Sequence, residues 1–403
     1  FYDIIFLVIL MKKNILFINI HTFLSTFILF YTCDTLFYIE RGLSSSQYIS
    51  FVGIAFFIKL LFEIPFGIIA DKSNKKILLL ISNLLFILST TIFIHSYNYP
   101  TFLFAIIVNA MNNSLSSGIV HSLLYENTKD KVKFNKYLFY NSLFYNISYM
   151  IAMIVGGFVA QKFGLIYTYY ITYIPFIIDS FILFMIKTNK STNHKEVDSN
   201  FSILKNGIHE IQQNSYMLNL ILINSIMVSG IKLIEESHPE YSSNIGISVF
   251  IIGIYTAFML IFCIIGSYIG SIIKSKNYKL LLSINPILSG ICILLVGLLN
   301  NYVGIFFILF IYIFSESFNI IMTSEIHNKI SSKSRVTIES INQFILGIFG
   351  LCFSLIMSFL LNHIPLYSMY ILIGITVILS GIVNDFLLHR NEKRDGSKIM
   401  NRC

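Results

Sequence analysis

Residues 67–79 read GIIADKSNKKILL, and residues 270–282, which lie 203 positions later, read GSIIKSKNYKLLL. Six positions coincide when the two stretches are aligned: Gly67/Gly270, Ile69/Ile272, Asn74/Asn277, Lys76/Lys279, Leu78/Leu281 and Leu79/Leu282. Each stretch is a short basic segment between two long apolar runs. Some matches in apolar sequence arise by chance, but these fall at corresponding junctions of two halves. The sequence therefore predicts an internal repeat of the kind that two-half membrane proteins carry.

The composition of the chain excludes a soluble globular domain. Its 403 residues have a mean hydropathy of +0.76 and only 12% are charged, whereas soluble domains have about 25% charged residues. The net charge of +8 lies in short gaps between apolar runs, so it does not indicate nucleic-acid binding. The cysteines are scattered singly, which predicts neither a disulfide nor a metal site: they are Cys33, Cys263, Cys292, Cys352 and Cys403.

Twelve apolar stretches are long enough to cross a hydrocarbon core of about 30 Å as helices. Their predicted bounds are 15–38, 47–70, 77–96, 101–124, 138–161, 165–187, 216–237, 246–272, 279–299, 302–325, 338–361 and 366–388. Residues 1–10 precede Met11 and are left out of the predicted fold, and no cleavable signal peptide is indicated. The predicted fold class is an all-α integral membrane protein with twelve transmembrane helices in two pseudo-symmetric six-helix bundles.

The positions of Lys and Arg predict the orientation, because these residues accumulate in cytoplasmic loops. With the N-terminus inside, 24 of the 28 Lys and Arg residues fall in predicted cytoplasmic segments. We therefore expect a multi-pass protein of the cell membrane with both termini cytoplasmic. The predicted domains are a six-helix bundle over 11–187, a cytoplasmic linker over 188–215, a second bundle over 216–388 and a cytoplasmic tail over 389–403.

The predicted linker has an apolar pattern of its own. Phe201, Leu204, Ile208 and Ile211 recur at helical spacing, which indicates an amphipathic helix along the inner membrane surface. An irregular tether is the alternative.

The junction after the second span carries glycine, acidic and basic residues in a dense motif. Gly67 permits close helix approach, and Asp71 is able to face the positive N-terminus of a neighbouring helix. The motif resembles the loop signature of the major facilitator superfamily, Gly-x-x-x-Asp-Arg/Lys-x-Gly-Arg/Lys-Arg/Lys. Asn74 replaces the second glycine of that signature, and Asn also tolerates left-handed backbone angles. A solvated basic loop is the alternative.

The segments at 63–67 and 117–126 resemble stretches in bacterial drug-efflux members of the same superfamily, and the segment at 334–340 resembles the usual entry to its eleventh helix. The resemblance implies alternating access and a closing contact between Asp71 and the helix that starts near Thr337. It implies a set of conformational gating residues: Gly67, Asp71, Lys72, Lys75, Lys76 and Arg335. Two antiporter features are missing, because the fourth span has no Arg and Met153 stands where efflux antiporters usually have proline.

Charged side chains inside a span cost roughly 2.5 to 3.5 kcal/mol to insert, so each is a candidate functional group. Glu316 of the tenth span, with Asn319 beside it, is the candidate carboxylate that exchanges a proton or pairs with a cationic substrate. A structural hydrogen bond to a neighbouring helix is the alternative for Glu316. In the resembled fold the first, fourth, seventh and tenth helices line the central cavity, which places candidates on these spans first.

Other polar residues of those spans are also candidates. Asp34 is placed to meet the seventh span in an outer gate, and ordinary interfacial charges are the alternative. Its expected partners are Lys232, Glu235 and Glu236. The fourth span carries amides that either join helices or bind substrate: they are Asn109, Asn112 and Asn113.

Four further residues receive structural interpretations or none. Lys59 and Glu63 stand four residues apart on the second span and are predicted to pair within that helix. His21 is interpreted as a packing residue, as is His121. Asp179 lies in the sixth span, an outer helix of the resembled fold, and is assigned no role.

These features predict a secondary transporter that uses an ion gradient. Proton-coupled efflux of amphipathic or drug-like compounds is the leading hypothesis, and proton-coupled uptake of a small nutrient is the alternative. A non-transporting receptor or a membrane enzyme is a remote alternative, because neither a His-Glu-x-x-His nor a nucleotide-binding glycine motif occurs. The expected partners are a small-molecule substrate, protons and the lipid bilayer, with no nucleic acid, no metal and no cofactor. We expect a monomer.

Overall fold

The computed structural model describes residues 13–128, 131–188, 215–273, 277–329 and 335–400. The predicted linker helix over 201–211 lies outside these residues. The described part of the chain forms fourteen α-helices, one 3₁₀ helix and no strand, so the predicted all-α membrane fold is confirmed. The first bounds are α1 Lys13–Thr26, the 3₁₀ helix Leu29–Thr32, α2 Asp34–Glu40, α3 Ser45–Lys72, α4 Lys75–Ile94, α5 Tyr99–Ser116, α6 Ile119–Thr128 and α7 Lys131–Phe163. The remaining bounds are α8 Leu165–Met185, α9 Ser215–Asn244, α10 Val249–Ile272, α11 Tyr278–Leu299, α12 Tyr302–Lys329, α13 Arg335–Leu360 and α14 Leu366–Met400.

Eleven of the predicted spans correspond to helical stretches that are long and apolar enough to cross a membrane. The predicted fourth span is α5 followed by α6, with Gly118 between them at a φ of +72°. The fifth and sixth spans separate at Gly164, whose φ is +109°, as the sequence predicted. α14 continues beyond residue 388 as far as Met400.

The described helices fall into two compact units. The first unit comprises Phe1–Ser44, Ile58–Lys195 and Ile247–Ala257, and the second comprises Ser45–Phe57, Glu196–Gly246 and Phe258–Cys403. Two helices, α3 and α10, contribute residues to both units. The predicted domain bounds at 187 and 216 stay a prediction.

The predicted first span is not one continuous helix, which corrects the expectation for residues 15–38. α1 ends at Thr26, and the chain passes through the 3₁₀ helix before α2 begins at Asp34. The freed Leu29 backbone N–H donates to Thr172 Oγ1 at 3.1 Å. The carbonyl oxygen of Leu29 lies 2.2 Å from the point where a Cβ at Gly156 would stand. The interruption is therefore held by α8 and by a close approach of α7.

Stacked aromatic rings pack the 3₁₀ helix against its neighbours in the first unit. The Phe30 ring stacks on Tyr169 of α8, with ring centroids 4.3 Å apart and planes 2° apart. Phe86 of α4 stacks on Phe176 of α8 at 3.7 Å and lies 6.1 Å from Phe30. Stacked pairs of this kind contribute about 0.5 to 1.5 kcal/mol beyond their area burial. They hold two helices, α4 and α8, against the interrupted segment.

Close helix contacts within each unit occur at glycines. In the second unit, a Cβ at Gly290 of α11 would lie 2.7 Å from Ile378 of α14, and one at Gly374 of α14 would lie 2.6 Å from the Leu294 nitrogen. In the first unit, a Cβ at Gly253 of α10 would lie 2.4 Å from the Met153 carbonyl oxygen of α7. Small residues are enriched at such crossings because membrane helices associate through close packing.

The helix α4 begins with a side-chain cap at the repeated motif. Asn74 has a φ of −71° and a ψ of 113°, and its side-chain oxygen accepts a hydrogen bond from the Lys76 N–H at 3.0 Å. The backbone at Asn74 is extended and not left-handed. Tolerance of left-handed angles, which the sequence suggested as the reason for Asn in place of Gly, is therefore the wrong explanation. The asparagine is suited to this position because it is among the strongest N-cap residues. Its repeat equivalent Asn277 precedes α11 without a side-chain cap.

We expect Asn74→Ala to lower the free energy of unfolding by about 1 kcal/mol, because the first turn of α4 loses its cap. Asn74→Gly should cost only a few tenths of a kcal/mol. The measurement is unfolding in mixed detergent micelles, followed by loss of helical circular dichroism. Asn277→Ala is the matched control and should leave stability unchanged. An equal loss in the two alanine variants would contradict the capping role.

Candidate functional site

A cavity of about 270 Å³ lies inside the second unit between α3, α9 and α12. Its lining residues follow the spacing i, i+3, i+4, i+7 on both α9 and α12, which places them on one face of each helix. The lining comprises Phe56 of α3; Val228, Ile231, Lys232 and Glu235 of α9; and Tyr312, Ser315, Glu316 and Asn319 of α12. The structure therefore brings together four predicted site residues: Lys232, Glu235, Glu316 and Asn319.

Lys232 holds two carboxylates of its own helix. Its Nζ lies 3.2 Å from Glu235 Oε2 and 2.6 Å from Glu236 Oε1. Glu236 also accepts a hydrogen bond from the Tyr48 hydroxyl of α3, at 2.8 Å. One turn further on, the Ser45 hydroxyl donates to Glu240 Oε1 at 2.5 Å. The first turn of α3 is thus tied to the acidic end of α9.

Glu316 is the carboxylate of the cavity that has no ion-pair partner among the described residues. Its side chain is half-buried and forms a hydrogen bond with the Asn319 side chain, which lies one turn along α12. The adjacent Ser317 points elsewhere, because its hydroxyl accepts from Asn285 Nδ2 of α11 at 3.2 Å. Glu316 is therefore available to a proton or a cation that enters the cavity.

The charges around the cavity do not balance when all of them are ionised. Lys232 supplies one positive charge, whereas Glu235, Glu236 and Glu316 supply three negative charges. Phe56 and Tyr312 add aromatic surface to the same cavity, and aromatic faces attract cations. This combination favours cationic, partly apolar molecules over anions.

A larger cavity of about 510 Å³ in the same unit lies between α9, α13 and α14. Most of its lining is apolar, and Leu379 and Val383 on its wall are more than half exposed. It contains no charged side chain. Without a charged group, this cavity offers little to select one polar or charged substrate over another.

The amides of the predicted fourth span have different surroundings in the first unit. Asn112 is buried and accepts a hydrogen bond from the Ser82 hydroxyl of α4. Asn109 has a buried side-chain oxygen without a hydrogen-bond partner in the described structure, and Asn113 is exposed. Asn112 therefore joins α4 and α5, and substrate binding by these amides stays a prediction.

Asp34 begins α2 in the first unit. Its Oδ1 accepts a hydrogen bond from the Thr35 N–H at 2.8 Å, and a carboxylate in the first turn interacts favourably with the helix dipole. The residues that it was expected to meet, Lys232, Glu235 and Glu236, lie in the second unit. The outer gate stays a prediction.

The basic motif after α3 connects three helices of the first unit. Lys75 forms an ion pair with Glu126 of α6 and a hydrogen bond to the Ser122 hydroxyl, and Lys76 Nζ donates to the Phe184 carbonyl of α8 at 2.5 Å. The side chains of Asp71, Lys72 and Arg335 lie outside the described residues, so their gating role stays a prediction. No described atom lies within 4 Å of a Cβ placed at Gly67, so close packing there is not seen in this structure.

The predicted pair on α3 is not among the ion pairs of the described residues. Lys59 is exposed and Glu63 is half-buried. The Lys59 backbone carbonyl instead accepts a hydrogen bond from Ser114 of α5 at 3.1 Å. The structural role of this pair stays a prediction.

Sequence reasoning missed a buried polar cluster in the first unit. His21 Nδ1 of α1 lies 2.9 Å from both carboxylate oxygens of Asp179 of α8, and Asn83 Nδ2 of α4 donates to Asp179 Oδ2 at 2.7 Å. His21 and Asp179 were each interpreted separately, as a packing residue and as an unassigned charge. The signal that could have joined them is the cost of an intramembrane charge, because a buried carboxylate needs a partner.

Comparisons with known proteins agree with this architecture. A family model described as Major Facilitator Superfamily matches residues 15–338. The solved structure of the nucleoside transporter NupG is similar over 94% of this chain and 99% of its own, with a TM-score of 0.73 and 14% identity. No curated protein sequence matches the chain.

Two other solved structures are similar. A bacterial homologue of the human lysosomal transporter Spinster, inward-facing and unoccupied, has a TM-score of 0.72 and 12% identity over 94% of this chain and 96% of its own. The POT family transporter PepTSo has a TM-score of 0.72 and 10% identity over 95% of this chain and 99% of its own. These identities show a shared fold and do not transfer a substrate. With the family model matching most of its length, the chain belongs to the major facilitator superfamily, and it is a multi-pass membrane protein with a transporter fold.

Proposed function

We propose that the chain is a proton-coupled secondary transporter that exports cationic, amphipathic compounds across the cell membrane, with its termini in the cytoplasm. The observation that carries the proposal is the acidic cavity of the second unit, in which Glu316 has no ion-pair partner among the described residues. A carboxylate in a membrane interior is costly to keep charged. It is therefore suited to hold either a proton or a cationic substrate.

Competition for Glu316 supplies a coupling mechanism. A cationic substrate and a proton each neutralise the same carboxylate, so binding of one favours release of the other. Lys232 is engaged by Glu235 and Glu236, which keeps its ammonium from neutralising Glu316 permanently. Phe56 and Tyr312 supply apolar and aromatic contact for the rest of the substrate. Alternating access then carries the occupied site from one membrane face to the other.

The second candidate function is proton-coupled uptake of a small nutrient. It is favoured by Met153, which stands where efflux antiporters usually have proline, and by the absence of Arg from the sequence of the fourth span. Export and uptake predict accumulation under opposite pH gradients. An exporter accumulates its substrate in an acidic compartment by exchange for protons, whereas a symporter accumulates it in an alkaline one.

The test of coupling uses proteoliposomes with an acidic lumen and tetraphenylphosphonium as the cationic amphipathic probe. We expect accumulation by the wild-type protein, and a loss of at least tenfold in gradient-driven accumulation for Glu316→Gln, since an amide cannot exchange a proton. Downhill probe exchange without a gradient should fall as well in this variant, because the amide does not form an ion pair with the cationic probe. Accumulation with the opposite gradient would favour uptake by symport.

Glu325→Gln is the matched control for the coupling test. Glu325 lies on the same helix α12 but contacts the Tyr216 hydroxyl at 3.3 Å, away from the cavity lining. Its variant should keep gradient-driven accumulation. Wild-type accumulation by Glu316→Gln would show that the coupling assignment is wrong.

The glycine contact between α7 and α10 should affect the conformational cycle. A side chain at Gly253 would collide with the Met153 carbonyl oxygen, because even a Cβ would lie 2.4 Å from it. We expect Gly253→Val to weaken this packing and to raise the labelling rate of a cysteine placed at Thr256, which is 5% exposed. The measurement is labelling by a water-soluble maleimide in a background without other cysteines.

The matched control for this labelling experiment is Ile251→Phe, which adds bulk on the exposed side of α10. It should leave labelling at position 256 unchanged. Equal labelling in Gly253→Val and the parent would show that the glycine contact does not keep this interface closed.

A further inference from the structure

The cluster of His21, Asp179 and Asn83 joins three helices in the interior of the first unit. Asp179 is completely buried, Asn83 is 3% exposed, and the His21 side chain is 5% exposed. The cavity of the second unit uses none of these residues. A fully enclosed carboxylate inside a membrane bundle is costly, and such groups mark proton or ion pathways more often than they serve packing alone.

The hydrogen bonds assign a role to each group. Asn83 Nδ2 can only donate, and it donates to Asp179 Oδ2 at 2.7 Å. His21 Nδ1 lies 2.9 Å from both oxygens of the same carboxylate, which fits an N–H shared between two acceptors. Asp179 then serves as an acceptor toward both neighbours. The Nδ1–H tautomer of His21 leaves its second ring nitrogen, Nε2, with a lone pair.

The Nε2 atom of His21 is the group of this cluster that a proton can reach. Within the described part of the chain it makes no hydrogen bond, and the His21 side chain keeps 5% of its surface exposed whereas Asp179 keeps none. With Nε2 unprotonated and Asp179 ionised, the cluster holds a net negative charge. A proton on Nε2 converts the cluster into a neutral ion pair, which removes the net buried charge.

The helices packed against α1 add no other charge beside His21 in the described structure. α1 packs against α6, α7 and α8, and α7 faces it with the amide of Asn141, which donates to Asn19 and Thr22. Six titratable side chains of these helices are exposed: His121, Tyr125, Lys133, Lys162, Tyr167 and Tyr170. Others have contacts away from His21: Glu126 pairs with Lys75, Lys136 lies over Tyr140, Tyr145 stacks on Tyr149, Tyr169 stacks on Phe30, and Tyr173 bonds Thr91. Tyr137 is half-buried and packs against the apolar cluster that contains Ile18 of α1. Among the described residues, Asp179 is the charged side chain that contacts His21.

We propose that His21 and Asp179 form a proton-binding site in the first unit, separate from Glu316, with His21 Nε2 as the atom that accepts and releases the proton. The proton adds to the Nε2 lone pair from water and leaves to water, and no other bond changes. Asp179 stabilises the imidazolium, and Asn83 positions the carboxylate. The site adds a second proton-carrying group to the transport that we propose, but its existence does not depend on Glu316.

The test follows the imidazole nitrogens directly by ¹⁵N magic-angle-spinning NMR of histidine-labelled protein in lipid bilayers. Subtraction of the His21→Gln spectrum isolates the His21 signals. We expect Nδ1 to stay protonated, and the Nε2 signal to change between its unprotonated and protonated forms across the pH series. In Asp179→Asn the pH dependence of the Nε2 signal should change, because an amide does not stabilise the imidazolium.

His95 is the internal control for this titration. It is exposed, and its Nδ1 bonds only the Thr91 carbonyl of its own helix at 2.8 Å, so its signals should be the same in the wild-type protein and in Asp179→Asn. A His21 signal that does not change with pH in the wild-type protein would overturn the proposal, whether or not the asparagine variant folds. A His21 Nε2 signal with the wild-type pH dependence in a folded Asp179→Asn variant would also overturn it.

Glu316→Gln separates this inference from the proposed function. We expect the His21 titration to be unchanged in that variant, although gradient-driven accumulation of tetraphenylphosphonium is lost. Loss of the His21 titration in Glu316→Gln would show that the cluster is not an independent site. If wild-type transport proved independent of the proton gradient, the proposed function would fail while the His21 titration would still decide this proposal.

Discussion

Hydrocarbon offers no hydrogen-bond partner, and the rest of this structure depends on that constraint. Three charged side chains in the described helices are stabilised in three different ways. Lys232 is held by two carboxylates of its own helix. Asp179 is held by His21 and Asn83 from two other helices. Glu316 lines a cavity. The first arrangement lets a charge stay permanently, whereas the other two leave an atom that a proton can occupy.

The same constraint explains the interruption of the first span. Residues 27–33 read FILFYTC and contain neither Gly nor Pro, so nothing in the local sequence predicts a break. The break is stable because other helices supply what the helix loses: Thr172 accepts the Leu29 N–H, and the Thr32 hydroxyl donates to the Met153 carbonyl at 3.0 Å. Gly156 leaves room for the displaced backbone. Hydropathy predicted where the chain crosses the membrane, but tertiary contacts determine how it crosses.

The candidate site was predictable residue by residue but not as pairs. A charged side chain in an apolar run is visible in the sequence, and the spacing of Lys232 with Glu235 and of Glu316 with Asn319 on their helices is visible as well. By contrast, 158 positions separate His21 from Asp179, and no local pattern connects them. Asn112 illustrates the same limit, because its contact with Ser82 of α4 is visible only in the structure.

The repeated motif shows how one sequence pattern acquires two structural roles. Asn74 and Asn277 occupy equivalent positions, yet only Asn74 caps the helix that follows. The two lysines after Asn74 contact two further helices: Lys75 pairs with Glu126 of α6, and Lys76 donates to a carbonyl in the last turn of α8. Three helix ends are thereby fixed to one another inside the first unit. The start of α4 is therefore part of a rigid group of helices, and a force on this segment would act on the whole group and not on a single loop.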